Sequence, residues 1–226
     1  MLKRPAPRSH AKVLAIVTQK GGVAKTTMAF SLAIAAKRAG LATTIIDTDQ
    51  QASCKFLASI RKDDHLVQQA TPAVLPIGIE ALDRVGCDLI IIDTPPHAKD
   101  ISALAIVQAD FILIPTNPSV LSLKAATETI AQCRSLQKPF GILITQCQPQ
   151  EGELYQRTRQ SLENIGSEVC PTIMHRYIAH EKAQMLGQTA QEYDPDSTAA
   201  DEVAQVYKYV CKQLGLGRTS HGRKSA

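Results

Sequence analysis

Lys20 and Lys25 flank a short glycine-bearing stretch, Lys20-Gly21-Gly22-Val23-Ala24-Lys25-Thr26-Thr27. Residue types in this order suit phosphate chemistry. Glycines let backbone N–H groups converge on an anion, and a helix starting there adds the partial positive charge of its N-terminus. In such a loop Lys25 reaches the β- and γ-phosphates of a nucleotide, and the Thr26 hydroxyl serves Mg²⁺. Carboxylates follow downstream. Asp47 and Asp49, at i and i+2 past an apolar run, can face one crevice. There one holds a magnesium-bound water and the other orients an attacking water. Asp93 closes Leu89-Ile90-Ile91-Ile92, the pattern that holds Mg²⁺ through water. Each signal alone is common, and their order along one chain gives them weight.

The elements that must position these groups can be read from periodicity. Residues 13–17 form an apolar run of strand length, and 28–39 are apolar at helical spacing and closed by Gly40. Residues 42–47 are β-branched and apolar, as a buried parallel strand requires. A helix over 53–61, a brief strand over 66–70 and a helix over 78–85 follow. The strongest core strand is 88–93, stopped by Pro95 and Pro96. A helix within 97–108, a strand over 111–115, a helix over 121–136 and a strand over 140–145 come next. Then come a helix over 153–165, a last strand over 168–173 interrupted by Pro171, and a helix ending at Leu186. A turn over 193–197 caps a final helix over 198–214. Val203, Val206, Val210 and Leu214 give that helix one apolar face. Alternating strands and helices predict a single-domain, doubly wound, mostly parallel α/β sheet flanked by helices. Ligands of such sheets bind at the carboxyl edge, where Lys25, Asp49 and Asp93 fall.

The 226 residues suit one such domain, and 44% hydrophobic content is ordinary for a globular chain. No apolar run approaches the roughly 20 residues of a membrane span. The six cysteines are scattered without a C-x-x-C pair, which argues against structural zinc and fits a reducing cytoplasm. The net charge of +4 is uneven. Lys3, Arg4, Arg8 and Lys12 crowd the start, and Arg218, Arg223 and Lys224 crowd the end. Without these seven, 18 basic residues face 21 acidic ones. The expected organisation is a basic arm over 1–11, a catalytic domain over 12–214 and a basic tail over 215–226. Such arms suit phosphate backbones or simply solubility.

The strict loop pattern G-x-x-x-x-G-K-S/T is not met, because Gln19 and Ala24 stand at its glycines. With Lys20 included, the stretch resembles the deviant P-loop K-G-G-x-x-G/A-K-S/T-S/T of the ParA/MinD family of ATPases. Asp47-Thr48-Asp49-Gln50-Gln51 resembles the family's D-x-D-x-Q segment, with Gln50 in place of the usual proline. Asp93-Thr94-Pro95-Pro96 is similar to its D-T-P-P form. Pro115-Thr116-Asn117-Pro118-Ser119 looks like its P-x-x-P-S passage. The likeness spans residues 13–214 and is closest to the short ParA type used in plasmid segregation.

The resemblance implies ATP and Mg²⁺ as ligands. Residues 20–27 (Lys20, Gly21, Gly22, Val23, Ala24, Lys25, Thr26 and Thr27) would form the nucleotide loop. Thr26, Asp47 and Asp93 would surround the metal, Asp49 would polarise the hydrolytic water, and Gln146 would contact the adenine. Lys20 would reach across a homodimer to the partner's nucleotide. The family further implies nonspecific DNA binding on a cytoplasmic nucleoid, released by slow hydrolysis that a ParB-like adaptor stimulates.

The turn before the final helix, where relatives carry arginines, is acidic here: Asp194-Pro195-Asp196. Other candidates for DNA contact are Arg157, Arg159, Arg176, Lys182, Lys208, Lys212 and the arms. Two alternatives stay open, a MinD-like membrane-positioning ATPase and an amide-forming synthetase. An aliphatic last helix lacking bulky Phe or Trp favours docking on the sheet over lipid binding.

Overall fold

The computed structural model describes residues 10–216. Most of the two basic arms therefore lies outside the described residues. At the inner end of the first arm, the Ala11 N–H donates to Asp83 Oδ1 at 2.7 Å, and the His10 ring lies 2.7 Å from Asp83 Oδ2.

Seven strands form one parallel sheet in the order β3-β2-β4-β1-β5-β6-β7. They are β1 Lys12–Ile16, β2 Thr43–Asp47, β3 Val67–Gln69, β4 Leu89–Asp93, β5 Phe111–Thr116, β6 Phe140–Cys147 and β7 Met174–His175. Helices fill the connections: α1 Lys25–Arg38, α2 Ser53–Arg61, α3 Leu75–Arg84, α4 Lys99–Gln108 and α5 Val120–Ser135. The remainder are α6 Gly152–Asn164, α7 Ile178–Met185, α8 Ala190–Tyr193 and α9 Thr198–Leu214. The chain first winds outward from β1 and then crosses to β5 on its other side. The loop after β1 therefore sits at the switch point of the strand order, where the carboxyl ends open a crevice.

Alternation along the strands builds two cores. Leu14, Ile16, Ile45, Ile91, Leu113 and Leu143 face α1, α2 and α9. Val13, Ala15, Ile90, Ile92, Ile112 and Ile144 face the helices of the opposite layer, with Leu82, Ile106 and Ile130 among their neighbours. Helix α1 is apolar nearly all round, because the sheet covers one side and α9 the other. It stops at Gly40, whose φ of 88° would strain an L side chain. All four residues of the expected apolar face of α9 are buried: Val203, Val206, Val210 and Leu214. That face is covered within the fold. Among the described residues no helix is long and apolar enough to cross a membrane. Five cysteines are buried, and Cys211 is half-buried.

Two expectations are corrected. The strand over 168–173 reduces to an isolated bridge from Val169 to Ile142, and pairing resumes at Met174–His175. Pro171 has no N–H to give a ladder. Helix α3 starts at Leu75, with Pro76 in its first turn, where its missing N–H costs nothing.

Candidate nucleotide site

The loop between β1 and α1 is held at both ends by its neighbours. Buried Val23 gives its carbonyl to Thr145 Oγ1 at 3.1 Å, tying the loop to β6. The His97 N–H donates to the Gln19 carbonyl at 3.1 Å, tying it to the segment after β4. Gly22 has φ of 73°, and Ala24 is left-handed at φ 63°, ψ 29°. Ala24 precedes α1 without a side-chain cap, so the first N–H groups of the helix are left to a ligand. The glycine of the strict pattern is thus explained by backbone conformation, and Ala24 adopts that conformation at a cost.

Lys25 is buried, and its ammonium donates to the Lys20 carbonyl at 3.0 Å. Burial lowers its pKa, while the charges of Asp93 and Asp49 oppose that shift. The Lys20 side chain is partly exposed and forms no ion pair among the described residues. Thr26 Oγ1 donates to Asp93 Oδ2 at 2.8 Å. The Thr27 hydroxyl accepts from Gln184 Nε2 of α7 at 3.0 Å.

Asp47 and Asp93 are register partners on adjacent strands, and both are buried. Their environments differ. Asp47 accepts the N–H groups of Asp49, Cys54 and Lys55 at 3.0, 3.1 and 3.3 Å. It thereby serves the first turn of α2 as a fixed anion. Burial raises its pKa, and these N–H groups oppose the rise. Burial pushes Asp93 up to about 7, against the Thr26 hydroxyl. Cys54 Sγ lies 3.3 Å from Asp93 Oδ2, and burial holds that thiol well above its usual value.

Asp93 Oδ1 is buried with no hydrogen-bond partner among the described residues. A buried carboxylate oxygen without a donor is costly. A hydrated divalent cation beside Thr26 would satisfy it, so the residues fit Mg²⁺. Asp49 lies past the tip of β2, partly exposed, and accepts the Gln51 N–H at 2.9 Å.

Gln146, left-handed at φ 58°, stands on β6 and lines a cavity of about 180 Å³. Ala24 and Thr27 form its floor on the loop side, and His175, Tyr177 and His180 contribute further walls. The structure therefore brings residues 20–27, Asp49, Asp93 and Gln146 to one edge. Asp47 is beside them but engaged by α2. Sequence reasoning passed over Cys54, His175, Tyr177 and Gln184. Their partners lie far off in the chain, and no local pattern marks them.

The sequence over residues 14–189 matches a known family model, the CobQ/CobB/MinD/ParA nucleotide binding domain. The chain belongs to that family. A carboxysome-distribution maintenance protein A from Gloeobacter kilaueensis is 31% identical, the alignment covering 91% of this chain and 95% of that one. The chromosome-partitioning ATPase Soj of Thermus thermophilus is 25% identical, over 85% of this chain and 92% of its own. In fold, the chain is similar to the septum site-determining protein MinD of Pyrococcus horikoshii, solved with Mg-ADP. The TM-score is 0.74 at 16% identity, covering 93% of this chain and 99% of that one. The seven-stranded parallel sheet flanked by helices matches the fold of that MinD structure.

Proposed function

We propose that the chain is a slow ATPase of ParA type, in which ATP closes two copies face to face and hydrolysis parts them. The observation that carries this reading is the pair of lysines on one phosphate loop. Lys25 is buried toward the acids of its own site, and Lys20 has no ion-pair partner among the described residues. A cation left unpaired beside a phosphate loop suits a second nucleotide brought by a neighbour.

In this reading Gly21, Gly22 and the first N–H groups of α1 cradle the phosphates, and Lys25 neutralises the terminal ones. Thr26 and Asp93 would hold Mg²⁺, which would neutralise charge on the terminal phosphates. Asp47 supports the metal side from behind by fixing α2. Asp49 aligns the water, and Gln146 meets the base. Phosphoryl transfer depends mainly on positioning and charge stabilisation, so a site completed by a second copy couples turnover to assembly.

The closed dimer would hold DNA without sequence preference and position cargo along it, released when an adaptor stimulates hydrolysis. A nucleoid location in the cytoplasm accompanies this reading. Beside the basic arms, the candidate contacts within the described residues are Lys182, Lys208 and Lys212, which are exposed. Arg157 and Arg159 are engaged by Glu153 and Glu163, and Arg176 lies 3.7 Å from Glu181. Relatives named for carboxysome distribution and chromosome partitioning support a positioning role, with the cargo open between such classes. The deciding experiment is ATP hydrolysis with and without nonspecific duplex DNA. The reading expects stimulation by DNA, and ATP-dependent DNA binding that falls steeply as salt rises. Binding indifferent to ATP and salt would overturn it.

A further inference from the structure

Glu202 sits on α9 and is only 6% exposed, yet it faces no lysine or arginine among the described residues. Its carboxylate is turned toward the end of β7 and the residues that follow it, 175–177. Glu202 Oε2 accepts the His175 N–H at 2.9 Å, and Oε1 lies 2.6 Å from His175 Nδ1. Tyr177 Oη reaches the same Oε1 at 3.4 Å. The two rings it gathers stand 5.7 Å apart between centroids. Within the same segment, the Arg176 N–H donates to the Cys147 carbonyl at 2.8 Å.

His175 and Tyr177 are walls of the cavity that Gln146, Ala24 and Thr27 complete. Among the described residues the carboxylate hydrogen-bonds to His175 and Tyr177 and to no residue of the phosphate loop. Helix α9 is itself fixed by Val203, Val206 and Val210 in the core. A buried anion on a rigid helix thus defines the shape of a loop that reads a ligand.

We propose that Glu202 is a positioning residue of the nucleotide-base subsite. It sets the His175–Tyr177 wall against the base while leaving the phosphate loop alone. The inference rests on the reading of this cavity as the base half of an ATP site. Its chemical logic is that one residue presents a backbone N–H and, in the Nδ1–H tautomer, a ring N–H to one carboxylate. Only a group with two acceptor oxygens meets both. An amide at 202 keeps the volume but turns an NH₂ toward one of those donors. The ring must then turn or move its proton to Nε2, and the segment shifts with it.

The test is the dissociation constant of ATP and of inorganic tripolyphosphate, which has no base, for the parent chain, Glu202→Gln, His175→Phe and the double variant. The expected result for Glu202→Gln is ATP binding weaker by about tenfold, with tripolyphosphate within about twofold of the parent. The double variant should lose no more than the worse single one, because both changes break one unit. Equal weakening of ATP and tripolyphosphate, or additive losses in the double variant, would overturn the inference while leaving the ATP site in place. If Glu202→Gln does not fold, Tyr177→Phe carries the same ratio measurement, and an unchanged ratio there counts against the proposal. A parent that binds tripolyphosphate as tightly as ATP would remove the base subsite altogether.

Discussion

Thr26 Oγ1 donates to Asp93 Oδ2 at 2.8 Å, joining the first turn of α1 to the last residue of β4. Two segments far apart in sequence therefore meet where a cation would bridge phosphate and protein. The carboxylate brings one further oxygen, Oδ1, that no donor meets among the described residues. Thr26→Ala removes one side of this contact while Lys25 still faces the phosphates. It should weaken ATP binding in Mg²⁺ by about tenfold or more. Titration in EDTA checks the cause, because there the parent and the variant should converge.

Asp93 gives a pH dependence with a definite sign. Burial raises its pKa in the fold from 3.8 to about 7, so between those values the folded chain holds a proton that the unfolded chain has released. Stability from this group is therefore full below about 3.8 and is lost as pH rises toward 7. Asp93→Asn has no such proton. Without Mg²⁺, its stability relative to the parent should improve between pH 4.5 and 8, as denaturant titration would record. A constant difference across that range would contradict the assignment.

Ala24 occupies left-handed backbone at φ 63°. Glycine adopts this conformation freely, but gains freedom in the unfolded chain. Ala24→Gly should thus raise stability by about 1 kcal/mol or less, and should ease closure of the loop on phosphate. Thermal melting and steady-state hydrolysis measure the two effects separately.

Lys20→Ala separates assembly from binding. Lys25 still serves its own phosphates, so nucleotide affinity should fall modestly, by about threefold or less. The ATP-dependent dimer should disappear in sedimentation velocity. A variant that dimerises like the parent would remove the shared-cation mechanism.

Gly141 in β6 packs under Tyr209 and Phe111, and a Cβ there would collide with the Tyr209 hydroxyl oxygen. Gly141→Ala should destabilise the fold by about 1–3 kcal/mol through overpacking. A chemical denaturation midpoint is the direct readout.

Much of this site was legible in the sequence because its signals are local. The glycine pair between an apolar run and a helical repeat sits within one continuous stretch, and Asp93 ends an unbroken apolar strand whose five residues are all buried. The spacing of Val203, Val206, Val210 and Leu214 told which face of α9 turns inward. Asp47 shows where such reasoning stops. Its position at the end of β2 placed it at the right edge, but its three N–H donors come from residue 49 in the following turn and from 54 and 55 in α2, and the helix expected over 53–61 did not reveal that its first turn would face this carboxylate. The clamp between Glu202 and His175 spans 27 positions and joins a helix to the last residue of β7, so neither helical nor strand periodicity registers it. Val169 pairs with β6 and Pro171 interrupts the ladder, so a stretch of apolar character yields only a bridge.

The distribution of thiols has a practical consequence. Five of the six lie inside, and Cys211 alone reaches the surface, on the flank of α9. A fluorescent maleimide therefore has one address on the folded chain. Single particles of the native sequence can be followed by light with no residue replaced.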